Sequence, residues 1–247
     1  MGLLGNLGLP LLPAAGGGSV AAGDITDAGP TGVALVQAET AGEALAELGA
    51  RGALPSAGWT DVVTGTATVA HAAGVHTLSV GSGERAEAHY PAPSTAECPA
   101  LELLARIDVT TGAPGTDWWA AIELRSEDGA DAIITQVSLA GAVQAWRVLS
   151  TTVTMLASTG AVDLTTGNTY LRLVVTPSLA AYFFGTGVGD ALPTSWTKVH
   201  QVAVDVGQYA RGALTRVGVR VGRTASGSGT YTTEFRAVQA RVLGLAP

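Results

Sequence analysis

The sequence predicts an all-β fold, an antiparallel sandwich or barrel, for most of its 247 residues. From Trp59 onward, apolar and polar residues alternate with period two, the pattern of half-buried strands. Turn-forming residues interrupt this alternation at short intervals, and almost no helical pattern occurs there. Aromatic residues are only 5% of the chain, and small or β-branched residues dominate. Many short alternating strands of this kind form packed antiparallel sheets.

The strand predictions depend on which residues share a face. In the segment 101–109 the odd-numbered residues are apolar, whereas Glu102, Arg106 and Asp108 fall on the opposite face. The segment 118–125 alternates in the same way. Further strands are expected at 132–139, 142–150, 170–176, 180–184, 199–205, 215–222 and 231–243. Turns are expected at Asp128-Gly129, Ala140-Gly141, Thr166-Gly167-Asn168 and Gly187-Val188-Gly189.

The chain divides into three predicted regions. Residues 1–23 form an extended apolar arm, residues 24–52 a short helical linker and oligomerisation region, and residues 53–247 the β domain. The capping pair Thr40 and Glu43 opens the second helix of the linker. Because such short helices are unstable alone, we expect them to pack on other chains or on the main domain. We therefore expect a homo-oligomer, with a trimer as the favoured state.

The arm is expected to attach the protein to a partner. It lacks the basic segment of a signal peptide, and glycine and proline interrupt its apolar run, which is too short to span a bilayer. Exposed leucines need burial, so docking on another protein is predicted. The attachment residues are Leu3, Leu4, Leu7, Leu9, Leu11 and Leu12.

Composition excludes several classes of function. A net charge of −7 with a single lysine, Lys198, gives no basic stripe for nucleic acid. Cys98 is the only cysteine, so neither an intrachain disulfide nor a cysteine-based zinc site is possible. The four histidines lack the spacing of metal ligands, and for His71 and His76 a solvated or packed role is favoured. No metal, cofactor, nucleic acid or membrane insertion is predicted. The low content of charged residues, 13%, reflects either an alanine- and glycine-rich genome or a surface covered by neighbouring subunits.

Two segments resemble known protein families. The segment 25–49, ITDAGPTGVALVQAETAGEALAELG, is similar to a stretch of bacteriophage tail-fibre and related virion proteins that precedes a C-terminal module. This copy departs from the pattern by carrying Gly29-Pro30 early and Glu43 and Glu47 late. The segment 59–245, with pieces such as Trp118-Trp119-Ala120-Ala121-Ile122, resembles concanavalin A-like (laminin-G-like) jelly rolls. The second resemblance implies an antiparallel jelly-roll-like β-sandwich, which the extended arm and short helices precede. Similar domains are sugar-binding or adhesive modules, and some are glycosidases.

Catalysis is not expected. A glycosidase needs two carboxylates that face each other across a cleft, and Glu102, Asp108 and Glu123 show no such spacing. The sequence also has no G-x-S-x-G elbow and no P-loop. Asp128 and Asp131 share one loop, but two carboxylates are too few to define a calcium site.

The polar faces of the strands suggest a glycan-binding surface instead. Aromatic rings stack on the apolar faces of sugars, while amides and guanidinium groups bind the hydroxyls. Alternatively, Trp119 and Trp146 cover the sheet against a loop or a neighbouring subunit. The predicted glycan-binding residues are Trp119, Glu123, Arg125, Gln144, Trp146, Tyr170 and Arg172, with Gln136 beside them.

These expectations combine into three functional hypotheses. In the first, the chain is a structural virion protein, a tail or head fibre or spike assembled in the host cytoplasm. Its arm binds other virion proteins, and its distal sandwich contacts host surface polysaccharide. In the second, it is a capsid-decorating or baseplate protein without a ligand. In the third, it is a bacterial carbohydrate-binding or adhesive module.

Overall fold

The computed structural model describes part of the C-terminal four fifths of the chain. The described residues are 54, 57–92, 100–111, 118–138, 141–162, 169–176, 179–188, 191–203, 214–224 and 229–242. They belong to one compact unit, Gly52–Leu243. The predicted arm, its leucines, the linker helices and Cys98 lie outside the described residues. No helix among the described residues is long and apolar enough to cross a membrane.

The described residues form two seven-stranded antiparallel sheets. Sheet I contains, in spatial order, β1 (Thr60–Val63), β4 (Arg85–Pro91), β13 (Leu214–Arg223), β6 (Trp118–Ser126), β7 (Ala132–Ser138), β8 (Ala142–Leu149) and β9 (Thr152–Ala161). Sheet II contains β12 (Thr197–Ala203), β11 (Leu179–Thr186), β10 (Thr169–Thr176), β5 (Leu101–Thr111), β14 (Tyr231–Val242), β3 (Val75–Val80) and β2 (Thr68–Ala72). The predicted all-β, jelly-roll-like sandwich is confirmed.

The core lies between the two sheets and follows the predicted alternation. Ala120, Ile122 and Leu124 of β6 are buried in it, as are the odd-numbered residues 101–107 of β5. Burial of these aliphatic side chains is the main source of stability, at about 25 cal/mol per Å² of apolar surface. The alternate residues of each strand point away from the core, so each sheet also has an outer face. The register between strands determines which outward side chains are neighbours on that face.

The predicted strands agree with the structure, but sequence reasoning did not delimit β1 to β4 and missed β9. The strand β9 is an edge strand without clear alternation, and its Val153 and Met155 are 60% and 49% exposed. Tertiary pairing with β8, rather than a sequence pattern, defines it. Two predicted hairpin turns are confirmed by positive φ angles, 73° at Gly129 and 76° at Gly141.

Candidate functional site

The outer face of sheet I arranges its side chains in rows across the strands. One row contains His89, Gly218, Glu123, Ile134 and Trp146, which are consecutive register partners on β4, β13, β6, β7 and β8. The next row contains Glu87, Arg220, Ala121, Gln136 and Gln144, and a third contains Gly222, Trp119 and Ser138. Strand phase decides which side chains of each strand point outward, and strand pairing decides which of them lie in one row.

A buried charge cluster occupies the half of this face formed by β4, β13 and β6. It consists of Glu87, His89, Glu123, Arg125 and Arg220. Glu123 is fully buried and lies at its centre. His89 Nε2 is 2.9 Å from Glu123 Oε1, Arg125 Nε is 3.0 Å from the same oxygen, and Arg220 Nη1 donates to Glu123 Oε2 at 2.9 Å.

The arginines decide the ionisation of Glu123. Burial alone would raise the pKa of this carboxyl group. The charge of Arg220, the hydrogen bond from His89 and the charge of Arg125 outweigh that effect and hold the pKa of Glu123 well below its usual range. The same pairing raises the pKa of Arg220 despite its burial, which acts in the opposite direction. The charge cluster is therefore a set of fixed ion pairs.

The charge cluster also contains metal-ligand types. One donor atom from each of Glu87, His89 and Glu123 lies within 4.8 Å of the others. However, the carboxylates already bind guanidinium groups: Arg85 Nε lies 3.1 Å from Glu87 Oε1, and Arg220 and Arg125 contact Glu123. A cation would have to displace or face three arginines. The donor set does not fit a metal ion.

Two glycines of β13 make room for the larger side chains of this face. A Cβ atom on Gly222 would lie 2.0 Å from Cζ2 of Trp119, and one on Gly218 would lie 2.6 Å from Cδ2 of His89. Trp119 therefore lies against the backbone of β13, where the Arg220 guanidinium is 4.5 Å from its ring centroid. The sequence Val217-Gly218-Val219-Arg220-Val221-Gly222 alternates inward valines with this outward set.

The other half of the face is uncharged. Among the described residues, none of the outward side chains of β7, β8 and β9 carries a charge. Trp146 packs on a small apolar cluster whose members are Ala121, Ala132, Ile134 and Val148. Its indole Nε1 donates to Gln144 Oε1 at 3.1 Å, and Gln136 Nε2 donates to the same oxygen at 3.1 Å. This arrangement leaves Gln144 Nε2 and Gln136 Oε1 without a hydrogen-bond partner among the described residues.

These residues form a diagonal across three strands, which we call the aromatic–amide track: Trp119, Gln136, Gln144 and Trp146. The two tryptophans lie at its ends, two strands and four register positions apart. Strand spacing and rise place their Cα atoms about 16 Å apart. Both indoles are half-buried, and the amide pair lies between them. The track combines two aromatic surfaces with a free amide donor and a free amide acceptor.

The prediction that seven residues share one face is wrong. Trp119, Glu123, Arg125, Gln144 and Trp146 are on the outer face of sheet I, whereas Tyr170 and Arg172 are on β10 of sheet II. Strand phase gives the face of a residue but not the sheet to which its strand belongs, so sequence reasoning merged two opposite surfaces. The glycan-binding role of the seven residues stays a prediction.

The two residues of sheet II also have partners there. Tyr170 is fully buried, and a Cβ atom on Gly187 would lie 2.6 Å from its ring. Arg172 binds the buried Glu102, and its guanidinium lies 5.3 Å from the ring centroid of Phe183 and 5.2 Å from that of Trp196. Tyr170 is therefore inaccessible to a glycan, and Arg172 belongs to a separate aromatic cluster.

The three candidate carboxylates are likewise on different surfaces. Glu102 and Asp108 lie on sheet II, where Asp108 pairs with Arg106 at 2.8 Å, and Glu123 lies on sheet I. These three residues do not form a carboxylate pair across a cleft. In the loop after β6, Asp128 Oδ1 accepts hydrogen bonds from Ser126 Oγ and the Ala130 amide at 2.7 and 3.0 Å. Asp128 is thus used to build a turn.

Sequence reasoning missed the partners of Glu123. Arg220 lies on β13, the neighbour of β6, and His89 lies on β4, one strand further away, and alternation within a strand does not predict this order. His71 and His76 are paired directly across β2 and β3, with their Nδ1 atoms 2.7 Å apart, and His71 Nε2 is 2.9 Å from Asp61 Oδ1. His76 is fully buried. Burial and the neighbouring His71 lower the pKa of His76 to about 4, although Asp61 acts in the opposite direction.

The fold is similar to several solved structures. The carbohydrate-binding module CBM66 from Bacillus subtilis matches with a TM-score of 0.51 at 12% identity, over 74% of this chain and 95% of that module. A functionally unknown protein from Saccharomyces cerevisiae matches with a TM-score of 0.53 at 12% identity, over 77% and 100% of the two chains. The Ca²⁺-bound exoplasmic/lumenal domain of VIP36 matches with a TM-score of 0.51 at 11% identity, over 77% and 85%. No protein-family model and no curated protein sequence matches the chain. At these identities the likeness establishes the fold alone.

Proposed function

We propose that the sandwich is a non-catalytic carbohydrate-binding or adhesive module. The observation that carries the proposal is the aromatic–amide track, which runs from Trp119 on β6, beside the Arg220 guanidinium, across the uncharged strands β7 and β8 of sheet I. A carbohydrate-binding module is also among the proteins with a similar fold, which supports the proposal without identifying a site.

The chemistry of the track suits an extended neutral glycan. The exposed parts of the Trp119 and Trp146 rings provide surfaces for the apolar faces of sugar rings. Between them, the free Gln144 amide donates to a hydroxyl oxygen and the free Gln136 carbonyl accepts from a hydroxyl. Because the face is open, the affinity of each site is expected to be weak, and an oligomer would bind through avidity.

The electrostatics of Glu123 support a non-catalytic role. A general acid in a glycosidase needs a raised pKa so that it carries a proton at working pH. Glu123 has a lowered pKa and is enclosed by Arg125, Arg220 and His89. A carboxylate in that state neither donates a proton nor reaches a substrate. We expect no cleavage of polysaccharides, and reproducible cleavage abolished by Glu123→Gln would contradict this.

The amide pair provides the first test of the binding proposal. The full-length chain is assayed against a panel of neutral polysaccharides by affinity electrophoresis and calorimetry, together with Gln144→Leu. This variant keeps the side-chain size and removes the amide, so binding should weaken about tenfold, the size of one lost hydrogen bond. Gln201→Leu, at an exposed position of β12, is the matched control and should bind normally. Equal binding by both variants would contradict the role of the track.

We also propose that the module is displayed on a virion through residues 1–23. The resemblance of residues 25–49 to phage fibre proteins and the six leucines of the arm support this proposal. Deletion of residues 1–23 should then leave the thermal midpoint of the sandwich unchanged and remove the protein from purified particles. Normal incorporation of the truncated chain would contradict arm-mediated attachment.

Oligomerisation is the remaining part of the proposal. The low charge of the chain and its short predicted helices favour a homo-oligomer, with a trimer preferred. Light scattering of the full-length protein at micromolar concentration should give a multiple of 24.7 kDa. A stable monomer would contradict this part and leave glycan binding by the single sandwich unaffected.

A further inference from the structure

Two large apolar side chains are exposed at the edge of sheet I beside the track. Val153 and Met155 of β9 are 60% and 49% exposed. Their register partners on β8 are Val148 and Trp146, so all four side chains are on the outer face. Val148 and Trp146 belong to the small apolar cluster of that face. The exposed pair therefore continues an apolar patch to the edge of the sheet, which is more informative than isolated exposed residues.

The position of Val153 continues the line of the track. One step across a strand and two residues along it leads from Trp119 on β6 to Gln136 on β7. The same step leads from Gln136 to Trp146 on β8, and a third such step leads to Val153 on β9. Strand spacing and rise place the Cα atoms of Trp119 and Val153 about 24 Å apart. Met155 lies beside this line, next to Trp146.

The turn before β9 holds this end of the strand in place. Its two residues, Ser150 and Thr151, have positive φ angles of 46° and 70°, as a type I′ hairpin turn requires. The Ser150 amide donates to Asp131 Oδ1 at 2.8 Å, and the Thr151 amide donates to the Ala130 carbonyl at 2.8 Å. Val153 follows two residues after this anchored turn, so a ligand would not have to order it.

The size and charge of the patch favour a glycan over a second copy of the chain. A stable protein interface buries about 800 Å² on each partner, far more than two side chains expose. The apolar face of one sugar ring needs only a small surface, and the flexible side chain of Met155 can adapt to it. The sequence of β9 contains no charged residue. A neutral ligand therefore fits this edge as it fits the track.

We propose that the glycan-binding surface extends onto β9, where Val153 and Met155 contact a further sugar residue of a chain that is bound to the track. The inference rests on the proposed function, because it takes the track as the main site. It also defines the ligand more closely. Only a long neutral glycan that is bound along its length reaches from Trp119 to Val153.

Calorimetry on the full-length chain tests the proposal with dextran, mannan, xylan and galactan. Oligosaccharides of the bound polymer, from the disaccharide to the hexasaccharide, are then compared. Val153→Ser and Met155→Ser remove the apolar surface at exposed positions, singly and together. Val62→Ser is the matched control, because Val62 is a 40% exposed valine on β1, the other edge strand of sheet I, and pairs with Glu87 of the charge cluster. Thermal midpoints verify folding, and light scattering compares the masses of the variants.

We expect polysaccharide affinity to fall about threefold in each single variant and about tenfold in the double variant. Val62→Ser should bind normally. The affinity of the unsubstituted chain should still increase for the longest oligosaccharides, and this increase should be absent in the double variant.

The proposal is overturned if the folded double variant binds normally or if Val62→Ser weakens binding equally. A double variant with a lower mass in solution and normal polysaccharide affinity would also overturn it, because the patch would then be a contact between copies of the chain. Binding that is lost in Trp146→Ala but unchanged in the double variant would leave the proposed function standing without the extension onto β9. No binding of any polysaccharide by the unsubstituted chain would overturn both.

Discussion

The outer faces of the two sheets use similar residues in different arrangements. On sheet II, Asp108 lies between Arg106 and Arg236, at 2.8 and 3.1 Å, and the Arg236 side chain remains 39% exposed. On sheet I the charges converge on Glu123, which is fully buried. Exposed charges keep a surface hydrated, whereas charges collected into one buried cluster leave the neighbouring strands uncharged. Sheet I therefore has a half-face that is suited to a neutral ligand.

The largest difference between the two faces should appear in stability. Glu123→Gln leaves Arg125, Arg220 and His89 without their common counter-charge, so unfolding free energy should fall by about 3–5 kcal/mol. Glu102→Gln on sheet II removes a buried carboxylate that binds Arg172, and because the Arg172 side chain is 23% exposed and can be hydrated, the loss should be smaller, about 1–2 kcal/mol. Urea unfolding of both variants measures the difference. Equal losses would contradict the central position of Glu123.

A smaller effect is expected from the glycine beneath Trp119. Gly222→Ala places a methyl group within the indole, so Trp119 must move, at a cost of about 1–3 kcal/mol. Polysaccharide binding should weaken in parallel, since the ring is one end of the track. In Gly160→Ala nothing lies within 4 Å of the new Cβ atom, and both stability and binding should be nearly unchanged. Normal polysaccharide binding by a folded Gly222→Ala variant would show that Trp119 does not contribute to the glycan-binding site.

The buried histidine of sheet II provides the smallest effect, a pH dependence. The pKa of His76 is about 4 in the folded chain, below its ordinary value of 6.5. The unfolded chain therefore binds a proton below pH 6.5 that the folded chain does not. Stability contributed by neutral His76 is complete above pH 6.5 and is lost as the pH falls from there toward 4.

Between pH 7 and pH 5 this contribution should fall by about 1–2 kcal/mol. His76→Phe should show a shallower dependence over the same range in urea unfolding. The pH dependence due to Glu123 can be separated from that due to His76. The lowered pKa of Glu123 contributes stability that is complete above about pH 4.5 and is lost only as the pH falls below that value. If the unfolding free energy of His76→Phe depends on pH in the same way as that of the unsubstituted chain, His76 does not resist protonation in the folded state.

The sequence predicted more of the strands than of the site. Alternation in the segments 101–109 and 118–125 placed each side chain on the correct face, because strand phase is a local property. Strand order is not local: β13 lies between β4 and β6 although it is separated from both by many residues. The pairing of Glu123 with His89 and Arg220, and the separation of Trp146 from Tyr170, both depend on that order. Local pattern therefore placed Trp119, Gln144 and Trp146 on the polar faces of their strands, and only topology could show which strands share a sheet and bring the charge cluster together.

Polysaccharide affinity of Trp146→Ala, compared with Trp196→Ala, tests the central claim most directly. Both residues are half-buried tryptophans, one on the track of sheet I and the other in the aromatic cluster of sheet II. Calorimetry on the full-length proteins should show at least tenfold weaker binding for Trp146→Ala, normal binding for Trp196→Ala, and folded protein in both cases. Normal binding by Trp146→Ala, or its loss only in Trp196→Ala, would contradict the assignment of glycan binding to sheet I.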